Sequence, residues 1–307
     1  MQQLSSTLSI KLASKFSPKW TSKQQGYAFG LLGVLLFSGG IPATRLAVLE
    51  LPAIFVGAGR AMVAGLLAAV LLLLVPVVKP TRRHLAGLVI VAFGAVFAYP
   101  ILSAVALQQM SSNHATLISA LMPLMTAMFG AYLGKQRLKP GFWWCAVASS
   151  ALVISYNLSQ QQASAVSIGD ATMLFACLCC GLAYAKGALL AKTLGSWQVI
   201  CWALLLSLPI TIPVTVWQFL QIEASTVSAS GWYGFAYLAL FSMFLGFFAW
   251  YKGLALGGVA QVSQLQQLSP FLAIFWAHWW LGEAIQPLQM MVALLLVSLI
   301  LLGRRLA

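Results

Sequence analysis

The sequence predicts an all-α polytopic membrane protein: ten transmembrane helices in two inverted five-helix repeats, with both termini cytoplasmic. Three observations carry this. Ten apolar runs have spanning length, the basic residues between them alternate in side, and the chain matches itself at a fixed offset. Hydrophobic residues make up 61% of the 307 positions and charged residues 7%, which leaves too little polar surface for a water-soluble fold.

The runs are 26–44, 52–78, 85–107, 113–134, 141–158, 170–191, 197–219, 231–252, 258–281 and 285–303. Each is about 18–27 residues, the length that crosses roughly 30 Å of hydrocarbon at 1.5 Å per residue. Residues 1–25 form a basic cytoplasmic segment, 26–158 the first repeat, 159–303 the second and 304–307 a cytoplasmic tail. In the first segment Leu8, Leu12 and Phe16 share one face of a possible interfacial helix opposite Lys11, Lys15 and Lys19, with a disordered tail as the alternative. No small-residue cleavage site follows a short apolar core, so no signal peptide is read there.

Charge sets the orientation. Lys11, Lys15, Lys19 and Lys23 precede the first run, Lys79, Arg82 and Arg83 follow the second, and Lys135, Arg137 and Lys139 follow the fourth. Lys186 and Lys192 end the sixth, Lys252 ends the eighth, and Arg304 and Arg305 close the chain. All of these fall on one side of a ten-span path, which the positive-inside rule makes cytoplasmic. Only Arg45 and Arg60 do not, and the four acids Glu50, Asp170, Glu223 and Glu283 fall at the opposite face. The net charge of +13 therefore matches anionic membrane lipid and calls for no nucleic-acid partner. The expected location is the inner (plasma) membrane. Trp20, Trp143, Trp144, Trp197 and Trp250 near inner helix ends, and Trp217, Trp232, Trp279 and Trp280 near outer ones, fit an aromatic belt.

An offset of 147 residues superposes Gly87 on Gly234, Leu107 on Leu254, Pro123 on Pro270 and Pro140 on Pro287 without gaps. Two sets of five helices follow, and an odd number forces the second copy to insert upside down. Inverted repeats recur in secondary transporters, whose substrate site lies near the midplane where the repeats meet. An old duplication retained without transport is the alternative.

Arg60 within GAGRAMVAGLLAAVLLLL, the mid-helix prolines Pro123 and Pro270, Leu281-Gly282-Glu283, and the Gly169-Asp170 opening of the second repeat resemble the drug/metabolite transporter superfamily of EamA type. The resemblance spans about 26–303. The chain departs from the family's habit at Gly134-Lys135, where Gly-Glu is usual, and at Ser38-Gly39-Gly40, where Trp-Gly is usual. The resemblance implies movement of amino acids, drugs or other small metabolites, often outward.

A substrate path needs polar groups at membrane depth. Gln264 and Gln267, with Gln261, recur every three residues ahead of Pro270 and read as a hydrogen-bonding wall, or as glue between helices. The register-mate helix offers Ser119 and, at its outer end, His114, which titrates near neutral pH and is read as an outer gate or an interfacial residue. His278, beside Trp279 and Trp280, reads as belt. Tyr99 beside the kink-forming Pro100, Tyr184, Ser242 and Ser38 reach similar depth. The stretch Ser38-Gly39-Gly40-Ile41-Pro42 is the expected site of irregular backbone, or of close helix packing.

Arg60 is the charge well inside an apolar run, where arginine costs roughly 2.5–3.5 kcal/mol on insertion scales. It binds an anionic group, or pairs with carbonyls and Glu50; its place in the family pattern suggests the structural role.

No Asp or Glu sits at mid-depth, so a facilitated carrier or exchanger of a neutral or zwitterionic metabolite is expected, an amino acid or related compound moved outward by alternating access around a mid-membrane cavity. The alternatives are a phosphate-bearing anion held by Arg60, Lys186 or Lys252, and a lipid flippase. No phosphate loop, HExxH or nucleophile elbow occurs, and Cys145, Cys177, Cys179, Cys180 and Cys201 lie inside helices as small hydrophobes. Neither an enzyme, a cofactor nor a metal is expected; monomer and homodimer both stay open.

Overall fold

Lipid offers no hydrogen bonds, so a chain this apolar must satisfy its backbone within itself, and helices do so. The computed structural model describes residues 20–110, 112–119, 121–135, 139–160, 168–281, 285 and 287–306. Among these residues every regular element is helical. Six helical segments are long and apolar enough to cross a membrane: Ser22–Val48, Ala53–Leu74, Arg82–Gln109, Ile168–Leu194, Ser196–Phe219 and Ala229–Gly257. Their outward faces carry exposed large apolar side chains: Leu73 is 86% exposed and Leu74 76%. Such a surface suits lipid and not water.

The first segment begins at Ser22, four residues before the sequence expectation, because Thr21 and Gln24 form a capping box. Gln24 N–H donates to Thr21 Oγ1 (3.3 Å) and Thr21 N–H to Gln24 Oε1 (2.9 Å). It comprises α1 (Ser22–Ser38) and α2 (Gly40–Val48), parted at Gly39 where irregular backbone was expected. Helix α3 is Ala53–Leu74. The third segment joins α4 (Arg82–Val91) to α5 (Tyr99–Gln109) through a π-helical stretch, Ala92–Ala98. Helices α6 (Ser112–Ser119), α7 (Met122–Gly134) and α8 (Pro140–Gln160) complete the first half.

The second half opens with α9 (Ile168–Leu194) and α10 (Ser196–Phe219). Then α11 (Ala229–Tyr237), a second π stretch (Leu238–Leu245) and α12 (Gly246–Gly257) follow. Helix α13 (Val259–Ser263), a 3-10 stretch (Gln264–Leu268), α14 (Ser269–Leu281) and α15 (Pro287–Leu306) end the chain.

The offset of 147 residues reappears in the helix starts. It carries Arg82 to Ala229, Tyr99 to Gly246, Ser112 to Val259, Met122 to Ser269 and Pro140 to Pro287, each of which opens a helix. Both copies place proline second in the helix, Pro123 in α7 and Pro270 in α14, where its missing N–H is not needed. The π stretch survives in the second copy although Phe247 stands where the first has Pro100, so proline is not what makes it.

Packing crosses between the halves. Helix α1 lies against α12, α3 against α10, α9 against α5 and α7, and α8 against α15. The first contact is set by glycine: a Cβ on Gly253 would stand 2.6 Å from the Gly30 amide nitrogen. Small residues let helix backbones approach this closely in lipid. Near the α3–α4 connection, Val78 is clamped by α10, donating its N–H to Gln198 Oε1 (2.9 Å) and accepting from Trp202 Nε1 (3.2 Å).

Candidate functional site

A cavity of about 850 Å³, its open mouth included, lies where the helices lose regular geometry. It is lined from the α1–α2 break, both π stretches, the α6–α7 break and the 3-10 stretch, and so from both halves of the chain. Irregular backbone at membrane depth is tolerated where it borders such a space. Ser38, Tyr99, Ser119, Tyr184, Ser242 and Arg60, all singled out from the sequence, meet there.

Gly57 sets the place of Arg60. A Cβ at Gly57 would stand 2.7 Å from Ile101 Cα, so α3 and α5 touch through it, and Arg60 follows three residues on along the same face. Arg60 is 4% exposed, lines the cavity, and lies near Tyr99, Cys180 and Tyr184. Its Nε and Nη2 have no hydrogen-bond partner among the described residues. Glu50, the partner the sequence offered, is engaged elsewhere. Ser228 donates its N–H to Glu50 Oε2 (2.5 Å) and its hydroxyl to Glu50 Oε1 (2.6 Å), and these bonds hold the carboxyl below its usual range.

Five of the cavity hydroxyls share a polarity; Tyr99, Tyr184, Ser242 and Ser269 line the cavity beside them. Thr44 donates to Gly40 O (2.6 Å), Ser103 to Pro100 O (3.3 Å), Thr116 to Ser112 O (2.7 Å) and Ser119 to Ala115 O (2.5 Å). Ser38 donates to Leu35 O (2.8 Å) and accepts from Trp276 Nε1 (2.8 Å). With each proton turned back into its own helix, what these oxygens present to the cavity is lone pairs.

Aromatic rings cluster toward one end. Tyr184 stacks with Phe37 at 6.3 Å between centroids and meets Phe247 at 5.8 Å and Trp250 at 5.6 Å edge-on. From this floor the lining climbs to Thr44, Leu107 and Thr116 near the other helix ends.

Gln264 and Gln267 do not line the cavity. They share a face, as the three-residue spacing implied, but a 3-10 turn eclipses i and i+3 and aims that face away. Gln267 is fully buried and donates Nε2 to Ser150 Oγ at 3.1 Å, and Gln264 is buried too. Gln266, a third of a turn away, lines the cavity instead, its Oε1 buried with no partner among the described residues. The 3-10 geometry also answers Pro270, which has no N–H for the Gln266 carbonyl; the Ser269 N–H takes its place.

The His114 side chain lies outside the described residues, as do Lys11, Lys15, Lys19, Arg137 and Glu283. Sequence reasoning missed Thr44, Ser103 and Gln266. Ser103 was reachable, standing four residues after Tyr99 on the same helical face. Lys186 and Lys252 do not line the cavity: the Lys186 side chain lies by Gly87, and Lys252 Nζ sits 3.9 Å over the Phe29 ring. Among the described residues no three His, Cys, Asp or Glu side chains cluster as a metal site would need.

Long apolar helices in two matching halves, around a polar cavity shared by both, define a polytopic membrane transporter. The chain belongs to the EamA-like transporter family, which matches residues 24–156 and again 167–303. That membership agrees with the drug/metabolite transporter resemblance read from its motifs. It is 45% identical over 260 residues to a Bacillus subtilis (strain 168) protein named Uncharacterized transporter YdeK, covering 85% of this chain and 90% of that one. A solved crystal structure shares its fold at a TM-score of 0.72 and 19% identity, over 93% of this chain and 100% of that one. At that identity the likeness carries the fold alone.

Proposed function

We propose that the protein is a secondary transporter that moves a small neutral or zwitterionic metabolite, of amino-acid type, outward across the inner (plasma) membrane. It works by alternating access around the cavity described above. In this reading the chain crosses ten times with both termini cytoplasmic. Residues 1–25 and 304–307 flank two inverted repeats, 26–158 and 159–303. The two shorter helical pairs of the fourth and ninth segments, with α8 and α15, supply the four spans beyond the six longest.

The observation that supports the reading most is the cavity's position. It collects Ser38, Tyr99 and Ser119 from one half and Tyr184 and Ser242 from the other, as a midplane site between inverted repeats requires. Membership of a transporter family adds independent support.

The test is counterflow of labelled amino acids into proteoliposomes preloaded with unlabelled ones. Exchange is expected for at least one amino acid in wild type and is expected to be lost in Tyr99→Ala, while the variant keeps its melting temperature. Exchange that survives Tyr99→Ala unchanged moves the site elsewhere. The second reading, a phosphate-bearing anion, draws on Arg60, two of whose nitrogens have no partner among the described residues. Exchange of glycerol 3-phosphate and of no amino acid would replace the first reading with it.

A further inference from the structure

We infer that the cavity is a polarised site, with Arg60 holding the carboxylate of the substrate and the ring of hydroxyl and amide oxygens holding its ammonium group. This rests on reading the cavity as the transport site, and it specifies the ligand's charge pattern.

Two independent observations make the poles. At one, Arg60, more than nine-tenths buried, lines the cavity, and its Nε and Nη2 are buried without a partner among the described residues. That edge of a guanidinium, one Nε–H and one Nη2–H side by side, is the fork that grips both oxygens of a carboxylate. At the other pole, Thr44, Ser103, Thr116 and Ser119 have each committed their proton to a backbone carbonyl of their own helix. Their remaining capacity is to accept. Gln266 Oε1, buried and unpartnered, adds a carbonyl-type acceptor.

A ligand that suits both poles carries an anionic fork and a cluster of N–H donors, as an α-amino acid does. A phosphate ester fits less well: its oxygens accept only, and Thr44, Ser103, Thr116 and Ser119 would offer them lone pairs. The two lysines the sequence offered to share its charge, Lys186 and Lys252, do not line the cavity. A purely cationic amine leaves Arg60 unpaired and meets a like charge.

The experiment measures binding to the purified protein by calorimetry, using the proteinogenic L-amino acids. Each binder is then compared with its carboxamide, its N-acetyl derivative and glycerol 3-phosphate. Loss of either pole is expected to weaken binding ~10- to 100-fold, the worth of charge-assisted hydrogen bonds. Arg60→Gln is expected to bind acid and carboxamide equally, and Arg60→Lys to retain part of the preference. The comparison of ligands on wild-type protein stands even where a variant fails to fold.

A carboxamide that binds wild type as well as the acid overturns the assignment of Arg60, while amino-acid exchange in proteoliposomes keeps the transport reading intact. An N-acetyl derivative that binds equally overturns the second pole. Silence of every amino acid in both binding and exchange overturns the polarised site and the amino-acid reading together.

Discussion

Glu50 shows what a single carboxylate does at the edge of this fold. Its two oxygens take the N–H and hydroxyl of Ser228, the residue that precedes α11. A negative charge there also meets the positive end of the helix dipole. The bonds depress the carboxyl below its ordinary value of 4.5. A depressed acid stabilises the folded state at pH above the ordinary value and loses that contribution as pH falls through the lowered one. Glu50→Ala is therefore expected to lower the melting temperature at neutral pH. The gap to wild type narrows below pH 4.5, read by thermal unfolding in detergent across a pH series. A gap that stays constant into acid would mean the charge contributes nothing. Arg60 is the opposite case: its Nε and Nη2 have no hydrogen-bond partner among the described residues.

At the scale of elements, departures from α-geometry decide which side chains reach the cavity. The 3-10 stretch points Gln266 inward and ties Gln267 to Ser150. Gln267→Leu is expected to destabilise the protein by about 1–3 kcal/mol, since it strands a buried hydroxyl partner, and to leave the affinity of the folded protein unchanged. Gln266→Leu is expected to do the reverse. Paired melting and binding measurements on the two variants check this, and equal behaviour would remove the distinction. The glycine contact gives a second expectation: Gly253→Ala pushes a methyl into the Gly30 backbone and costs about 1–3 kcal/mol, visible as a lower melting temperature. Helical spans were legible in the sequence because apolar length and charge side are set residue by residue. The repeat was legible through glycines and prolines. What stayed hidden was rotation. A stretch that winds at three residues per turn turns Gln264 and Gln267 from the cavity, and composition does not announce that change of pitch. Thr44 was hidden too, since its depth depends on the break at Gly39.

For the whole molecule, the contacts between halves obey the repeat. Helix α3 meets its own mate α10, α8 meets its mate α15, and the α1–α12 contact is mirrored by α9 against α5. Such symmetry supplies two equivalent ways of closing the cavity, one at each end, and alternating access needs both. Here the rings of Phe37, Tyr184, Phe247 and Trp250 and the tight α1–α12 glycine contact gather toward one end. The lining climbs away from them toward Thr44 and Thr116. In the proposed topology the aromatic end is cytoplasmic, and an outward-facing state is the expectation that labelling tests. Ser119→Cys reports on this, because Ser119 lines the cavity while Cys145, Cys177, Cys180 and Cys201 are buried and Cys179 is only partly accessible. A membrane-impermeant maleimide added to intact cells is expected to label Ser119→Cys well above the wild-type background, and a saturating substrate to slow that labelling. The same reagent presented only to the cytoplasmic face of inside-out vesicles is expected to label it poorly until transport is under way. Strong labelling from the cytoplasmic face alone would invert the assignment of ends, and with it the direction from which Arg60 receives its ligand.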